Sequence, residues 1–158
     1  MQTITTCLWF ETQAEEAARF YTSIFKNAKM GRIVQAPKDT PGNDGSVPLT
    51  VEFEIEGNQF VGLNGGKMDF SFNHAISFQV ECKDQAEVDY YWDRLGDGGK
   101  DVQCGWLVDR YGLSWQIVPR VLIELYSGPD REKANRVNKA MMKMVKLDIA
   151  ALEAAARG

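Results

Sequence analysis

The sequence predicts an α+β fold made of two copies of one βαβββ module, whose open, curved, mixed or antiparallel sheets surround a cavity. The first observation is a repeat, because Gln13-Ala14-Glu15 recurs as Gln85-Ala86-Glu87, 72 residues further along. The second is that each copy follows an alternating apolar and polar run, which is typical of a half-buried strand. The third is that each copy opens a segment with apolar residues at helical spacing. A period this long indicates duplication of a whole supersecondary unit.

In the first module, a predicted strand at 4–10 leads into a helix with a single apolar face. That face comprises Ala17, Ala18, Tyr21, Ile24 and Phe25. A weaker alternation at 29–37 predicts a second strand. The most regular strand is 49–56, where apolar residues alternate with glutamates. Gly57-Asn58 is typical of a two-residue hairpin turn and leads into a last strand at 59–64.

The second module repeats this order. A strand at 75–82 precedes a helix at 85–95, whose apolar face matches that of the first helix best at an offset of 71 residues. Two further strands are predicted at 102–108 and 113–119, joined by the turn Asp109-Arg110-Tyr111-Gly112.

The tail is helical. Ser127-Gly128-Pro129-Asp130 predicts a helix start, because proline is tolerated in the first turn of a helix. A stripe at helical spacing follows, and it consists of Ala134, Val137, Ala140, Met141 and Met144. A second helix is predicted at 149–156. The stripe favours packing on the body or on a partner subunit, with an adaptable methionine-rich binding surface as the alternative.

We therefore divide the chain into a first module at 1–66, a second module at 67–122 and a C-terminal helical extension at 123–158, together one compact domain. A net charge of −4 and a pI near 5.1 argue against a nucleic-acid groove, which needs a basic stripe. No apolar run is long enough to span a membrane. The three cysteines lie far apart and predict reduced thiols in a cytoplasmic protein.

Motifs spread over nearly the whole chain carry a resemblance to known proteins. They are Cys7-Leu8-Trp9-Phe10, Ala14-Glu15-Glu16-Ala17, Phe20-Tyr21, Thr50-Val51-Glu52-Phe53, Gly62-Leu63-Asn64-Gly65-Gly66, Ser77-Phe78-Gln79-Val80, Cys104-Gly105-Trp106, Asp109-Arg110-Tyr111-Gly112, Trp115-Gln116-Ile117 and, in the tail, Ala140-Met141-Met142-Lys143-Met144 and Leu147-Asp148-Ile149. In these the chain resembles the vicinal-oxygen-chelate superfamily, which includes glyoxalase I, extradiol dioxygenases and bleomycin-resistance proteins. Within that superfamily it is most similar to the PhnB-like branch, which carries the name 3-demethylubiquinone-9 3-methyltransferase.

The resemblance implies, for metal-dependent members, a site of His, Gln and Glu whose last ligand is a glutamate four residues beyond the glycine of an Asp-x-x-Gly turn. Here Gln116 stands at that position, and a neutral amide is a poorer ligand for a hard metal than a carboxylate. By alternation, the single histidine His74 shares a face with Ile76, Phe78 and Val80, which we expect to pack against the helix. His74 and Gln116 are the only metal-ligand candidates, so we expect no cofactor, with a divalent metal as the less favoured case.

The glycine-rich run at 62–66 does not predict a methyltransferase. A loop that binds a nucleotide or adenosyl-methionine should lie between a strand and a helix, so that the first N–H groups of the helix meet the ligand. This run follows a hairpin strand and precedes another strand.

The cavity is where we expect the function to lie. Alternation places Leu8, Phe10, Trp115 and Ile117 against the helices and turns their neighbours inward. The predicted ligand-binding residues are Cys7, Trp9, Asn64, Ser77, Gln79, Trp106 and Gln116. We expect Cys104 to share a strand face with Trp106.

Two classes of function remain open. The first is a binding protein for a small, partly apolar or aromatic molecule, in the manner of the bleomycin-resistance proteins. The second is a lyase, dioxygenase or transferase that depends on a divalent metal or on a pocket base. The candidate catalytic residues are Glu52, Glu54 and Cys104. In both cases we expect a homodimer with no nucleic-acid or membrane partner, because open sheets have edges that invite pairing.

Overall fold

The computed structural model describes residues 3–158 and has two compact units, of which the first ends at Ser71 and the second begins at Phe72. Each unit has one four-stranded sheet of mixed direction, and helices follow at the C-terminus. The predicted α+β architecture of two βαβββ modules and a helical tail is confirmed. Within the described residues, no helix is long and apolar enough to cross a membrane.

The first unit contains β1 (Thr6–Phe10), α1 (Ala14–Ile24), β2 (Ala28–Gln35), β3 (Pro48–Ile55) and β4 (Asn58–Asn64). The strand order is β1-β4-β3-β2, with β1 parallel to β4 and the other pairs antiparallel. The apolar face of α1 is buried through Ala17, Ala18, Tyr21, Ile24 and Phe25, as the spacing predicts. Tyr21 stacks on Phe53 of β3 with ring centroids 6.1 Å apart.

The second unit contains β5 (Ser77–Cys82), α2 (Gln85–Gly96), β6 (Lys100–Asp101), β7 (Trp106–Val108), β8 (Ser114–Pro119), α3 (Arg120–Ser127), α4 (Arg131–Met141) and α5 (Ile149–Arg157). The strand order is β5-β8-β7-β6, the same pattern as in the first unit. The core joins Val88, Trp92 and Leu95 of α2 to Leu107, Trp115 and Ile117 of the sheet.

The two helices begin at positions 71 residues apart, which accounts for the offset of their apolar faces. Gln13 precedes α1 as its N-cap and makes no side-chain cap bond. In the second copy, Asp84 is the N-cap and accepts a hydrogen bond from Glu87 N at 2.9 Å, so Gln85 becomes the first helical residue. One residue fewer lies between strand and helix in the second copy.

The predicted strand at 102–108 is wrong in its first half. Cys104 and Gly105 both have positive φ angles, +61° and +82° respectively, and extended backbone cannot pass through them. Only its last three residues form a strand, β7, while the two-residue β6 precedes the predicted span and a turn lies between them. Helix α3 was not predicted, although it follows β8 directly.

The tail packs onto the second unit. Val118, at the end of β8, forms a buried cluster with Leu122, Val137, Leu147 and Leu152. Val137 of the predicted stripe is fully buried there, and Ala134 is 3% exposed. Met141 and Met144 are partly buried against the same cluster, so the stripe packs on its own chain.

Candidate ligand-binding surface on the sheets

The second sheet has one side packed on α2, and we call the opposite side open face 2. Trp115 and Ile117 are buried on the helix side, at 3% and 0% exposure. Because successive residues of a strand point to opposite faces, Ser114 and Gln116 lie on open face 2. The predicted facing of this strand is confirmed.

Four of the predicted ligand-binding residues are neighbours on open face 2. Gln79 pairs with Gln116 across β5 and β8, and Gln116 pairs with Trp106 across β8 and β7. Ser77 pairs with Ser114 in the adjoining row. The Nε2 of Gln116 donates a hydrogen bond to Ser77 Oγ at 2.9 Å. The result is a half-buried polar surface with one indole at its side.

The predicted position of His74 against the helix is wrong. Its Nδ1 lies 2.9 Å from Ser114 Oγ, and its ring meets Trp106 edge-on with centroids 5.8 Å apart. Both contacts are on open face 2. The reason is that β5 begins only at Ser77, so the alternation does not extend back to His74. Ile76, expected in the core, is 69% exposed for the same reason.

Ser114 positions the imidazole and is shielded from solvent. Its side chain is 1% exposed, and its hydroxyl is engaged with His74. When Ser114 donates to Nδ1, the proton of the neutral ring is on Nε2; when Ser114 accepts, Nε2 carries the lone pair. His74 can thus present either a donor or an acceptor to a molecule on this face.

The Asp-x-x-Gly turn is structural. Asp109 is 3% exposed, and its Oδ1 accepts hydrogen bonds from the backbone N–H groups of Tyr111 and Leu113 at 2.8 and 3.0 Å. Its Oδ2 accepts from Trp115 Nε1 at 2.8 Å. The aspartate thereby fixes the start of β8 and the register of Ser114 and Gln116. The turn motif is visible in the sequence, but its bond to Trp115 was not predicted.

Cys104 does not share a face with Trp106, contrary to the prediction. Its φ of +61° takes it out of the strand, and its Sγ lies 3.9 Å from Met142 Sδ. Its backbone N–H donates to Met144 O at 2.9 Å. The thiol therefore faces the segment after α4, and we exclude it from the catalytic candidates on open face 2.

The first sheet likewise has a side opposite α1, which we call open face 1. Leu8 and Phe10 are buried on the helix side, so Cys7 and Trp9 lie on open face 1, as predicted. Trp9 is half-buried. Its Nε1 donates to Gly66 O at 3.0 Å, and its ring meets Phe70 edge-on at 5.3 Å. Part of the indole is therefore already used within the unit.

Glu52 and Glu54 also lie on open face 1, because Glu52 and Cys7 both pair with Val61 of β4. Both carboxylates have partners. Arg32 contacts Glu52 at 2.9 Å, and Lys29 contacts Glu54 at 3.3 Å, with Gln59 also donating to Glu54. Cations of β2 therefore already engage both carboxylates within the first sheet.

Asn64 has a structural role that its strand position did not predict. It is fully buried, its Oδ1 accepts from Ala14 N at 2.9 Å, and its Nδ2 donates to Pro48 O at 2.9 Å. The amide supplies the helix cap that Gln13 does not. We remove Asn64 from the ligand-binding set.

The glycine-rich run is packed against its own unit. A Cβ on Gly65 would lie 2.1 Å from a ring carbon of Trp9, and a Cβ on Gly66 would lie 2.7 Å from Gly42 O. A Cβ on Gly62 would likewise lie 3.0 Å from the Cβ of Ala14 in α1. These close contacts explain why the three positions are glycines, and a bound nucleotide is not needed to explain them.

The first unit also has a surface hollow of about 780 Å³ beside the loop before β3. Its lining is mainly polar: Thr12, Asp39, Thr40, Gly42, Asn43, Asp44, Ser46 and Val47. None of its lining residues is aromatic or belongs to open face 1. It is a poor match for an apolar or aromatic ligand.

The donor atoms do not form a metal site of the kind the superfamily implies. Across residues 3–158, no three His, Cys, Asp or Glu side chains come together as a ligand group. The Nδ1 of His74 lies against Ser114 Oγ and the Nε2 of Gln116 donates to Ser77 Oγ, which leaves His74 Nε2 and Gln116 Oε1 as possible ligand atoms. An imidazole and a neutral amide are a poor ligand set for a hard divalent cation, which prefers carboxylate oxygens.

The family is decided by comparison with known proteins. The family model described as 3-demethylubiquinone-9 3-methyltransferase matches residues 2–118. The chain belongs to this family. The PhnB protein of Bacillus cereus is 32% identical, and the match covers 75% of this chain and 99% of that one with a TM-score of 0.68. The 3-demethylubiquinone-9 3-methyltransferase family and this PhnB structure confirm the resemblance to the vicinal-oxygen-chelate fold.

More distant structures share the fold alone. A Pseudomonas aeruginosa protein is 14% identical, with 75% of this chain and 98% of that one covered and a TM-score of 0.63. The fosfomycin resistance protein FosX of Listeria monocytogenes is 16% identical, with 78% and 94% covered and a TM-score of 0.54. No curated protein matches the chain. The family model ends at residue 118, so the helical tail lies beyond it.

Proposed function

We propose that the protein binds a small, partly apolar or aromatic molecule on open face 2, without a tightly bound metal. The observation that carries the proposal is the row Gln79, Gln116 and Trp106 across three strands, with His74 beside it. Amides, an imidazole and a half-buried indole on one sheet surface supply both hydrogen bonds and apolar area.

The chemistry of the surface limits what it can bind. Its hydrogen-bonding groups are amides, hydroxyls and one imidazole, and these recognise a carbonyl, hydroxyl or amide group on the ligand. The indole of Trp106 supplies the flat apolar contact. On open face 1, Trp9 offers a second aromatic surface, although its N–H and one edge are already engaged. Binding without chemistry is the function these groups support best.

The test is a nuclear magnetic resonance titration that follows the four indole N–H signals while aromatic amides, alcohols and carboxylates are added. Trp106 is half-buried on open face 2, whereas Trp92 and Trp115 are 6% and 3% exposed in the core and act as internal controls. We expect at least one compound to shift the Trp106 signal and leave both controls in place. Shifts of equal size at all indoles, or no shift with any compound, would contradict the proposal.

The variant Gln116→Ala tests whether the amide of Gln116 orients the ligand. Gln116→Ala removes one hydrogen bond and should weaken binding by up to about tenfold, since a net hydrogen bond is worth about 0.5–1.5 kcal/mol. The matched control is Gln35→Ala, an exposed amide on β2 of the other unit, which should leave the affinity unchanged.

The second candidate is a divalent-metal enzyme of the same superfamily. The observation that favours it is the location of His74 on open face 2. The neutral amide of Gln116, at the position where the superfamily resemblance implies a glutamate, opposes it. We expect elemental analysis of protein purified without added metal to find far less than one metal ion per chain. A stoichiometric ion that is lost in His74→Ala would favour the enzyme.

We also propose that the protein resides in a reducing, cytoplasmic compartment. Cys7, Cys82 and Cys104 are all free thiols. Burial raises the pKa of Cys7, which keeps it protonated and poorly reactive near neutral pH. Cys7 therefore serves as a surface residue of open face 1 and not as a nucleophile.

A further inference from the structure

Open face 2 changes in character along its strands. Residues that pair across a sheet point to the same side, so the strand register divides this face into three rows. The first row contains Ser77, Ser114, Val108 and Lys100, the second contains Gln79, Gln116 and Trp106, and the third contains Glu81 and Val118. The first two rows contain no carboxylate.

Lys100 places a positive charge at the edge of the first row. It lies in the row of Ser114, and it forms no ion pair with any residue that the structure describes. The neighbouring Asp101 pairs with the buried Leu107 and so lies on the helix side. In agreement, a Cβ on Gly96 of α2 would lie 4.0 Å from Asp101 Oδ1. The carboxylate is therefore turned away from open face 2, and the ammonium group is not.

His74 supplies a second hydrogen-bond donor at the same end. Ser114, which is 1% exposed, lies 2.9 Å from its Nδ1, and the ring of Trp106 meets the imidazole edge-on. These contacts leave Nε2 as the ring nitrogen available to a ligand. An anion favours the form in which Ser114 donates to Nδ1 and the proton is on Nε2, because that N–H group can then donate to the anion.

The helical tail closes the opposite end of the face. Val118 continues the line of Gln116 along β8, but it is buried in the apolar cluster that includes Leu147 of the tail. Glu81, in the same row, is paired with Arg120 at 2.7 Å. A ligand that lies along β8 therefore meets an apolar wall beyond Gln116, and its charged group is better placed at the other end.

We infer that the ligand is a small aromatic carboxylate, whose carboxylate lies at the end of open face 2 that carries His74 and Lys100. Its ring lies on Trp106, next to the tail. This inference rests on the proposed function, because it concerns the same surface. Donors at one end and no carboxylate in the first two rows favour an anion over an amide or an alcohol, since hydrogen bonds to a charged group are the stronger ones. The chain has a net charge of −4 and repels anions at long range, so these local groups must provide the attraction.

The experiment is a nuclear magnetic resonance titration with benzoate, benzamide and benzyl alcohol, which share one ring and differ in the polar group. His74 is the only histidine of the chain, so its ring C–H signals report on the polar end without overlap. The indole N–H signal of Trp106 reports on the apolar part. We expect benzoate to shift both and to bind about fivefold more tightly than benzamide, the upper end of what an exposed ion pair contributes.

A lysine variant tests the role of the charge. Lys100→Gln should weaken benzoate binding about threefold or more and leave the affinity for benzamide unchanged. The matched control is Lys139→Gln, which removes the same charge from an exposed position on α4 and should change neither affinity. Equal affinities for the three compounds, or equal weakening by the two variants, would overturn the inference and leave the proposed function intact. No shift of Trp106 with any of the three compounds would count against both.

Discussion

At the scale of single residues, buried polar side chains hold the fold in place, and one of them, Asn64, belongs to the ligand-binding set that the sequence predicts. Asn64 is the clearest case, because its amide satisfies two backbone groups that are 50 and 16 residues away in sequence. Asp109 likewise accepts hydrogen bonds from the backbone N–H groups of Tyr111 and Leu113, in the turn before β8. A sequence pattern shows such residues as polar positions on a strand or turn, and only the fold shows which polar atoms they meet.

The buried cap predicts a large effect of Asn64→Ala. The change leaves Ala14 N and Pro48 O without their partners, and loss of a cap costs about 0.5–2 kcal/mol while a buried unsatisfied group costs about 1–3 kcal/mol. Urea unfolding should therefore show a loss of at least about 2 kcal/mol in unfolding free energy. Asn135→Ala, at an exposed amide on α4, is the control and should change it by less than about 0.5 kcal/mol. Equal effects would show that Asn64 does not cap α1.

The buried thiol of Cys82 gives a prediction for alkaline pH. Burial, followed by the charges of Glu87, Asp84 and Glu81, raises the pKa of Cys82 from 9.0 to about 12. The folded protein therefore favours the protonated thiol, and this contribution is complete below pH 9 and is lost as the pH rises from 9 toward 12. The stability of the wild type should fall between pH 8.5 and 10.5 more steeply than that of Cys82→Ala. Parallel pH profiles from urea unfolding would contradict this.

At the scale of elements, the two copies of the repeat have diverged in what their helix starts do. Gln13 makes no cap bond, and Asn64 replaces it. Gln85 connects α2 to the tail, because its Nε2 donates to Leu147 O at 3.1 Å and its Oε1 accepts from Ile149 N at 2.9 Å. The repeated tripeptide thus marks the same place in both modules, but only the glutamine of the second copy, Gln85, contacts the tail.

This divergence makes Gln13 the matched control for Gln85. We expect Gln85→Ala to loosen α5, because Leu147 O and Ile149 N both lose their partner. Hydrogen exchange of the α5 amides, 149–157, should accelerate by about tenfold or more, which corresponds to about 1.4 kcal/mol of opening free energy. Gln13→Ala should leave these rates unchanged. The same rates in both variants would mean that the apolar cluster alone holds the tail.

The sequence predicts elements well where the signal is local. Trp115 and Gln116 were assigned to opposite faces by the period of two, and the apolar faces of α1 and α2 by the helical period, since each depends only on neighbouring residues. His74 and Cys104 were misplaced because their positions depend on Ser114 and Met142, which are 40 and 38 residues away. The break in the strand before Trp106 follows from a positive φ at Cys104, and a cysteine gives no signal for that conformation.

At the scale of the whole molecule, we expect a homodimer to form through the sheet edges, because the tail stripe packs on its own chain. The outer strands are β1 and β2 in one sheet and β5 and β6 in the other. Two of these are protected in the ways known to prevent edge pairing. Strand β6 has only two residues, both charged, and β2 carries Lys29 and Arg32 with a register irregularity between Met30 and Ile33.

Strand β1 lacks such protection, since it contains no charged residue and no register shift, whereas β5 contains Glu81. We therefore predict a homodimer whose interface includes the edge of β1. Light scattering at micromolar concentration should give twice the 17.8 kDa mass of one chain. Cys7→Lys places a charge on β1 and should shift the mass toward that of one chain. Val34→Lys, on the protected edge β2, should leave it unchanged. A wild type with the mass of a monomer would show that the edge of β1 is not used for association.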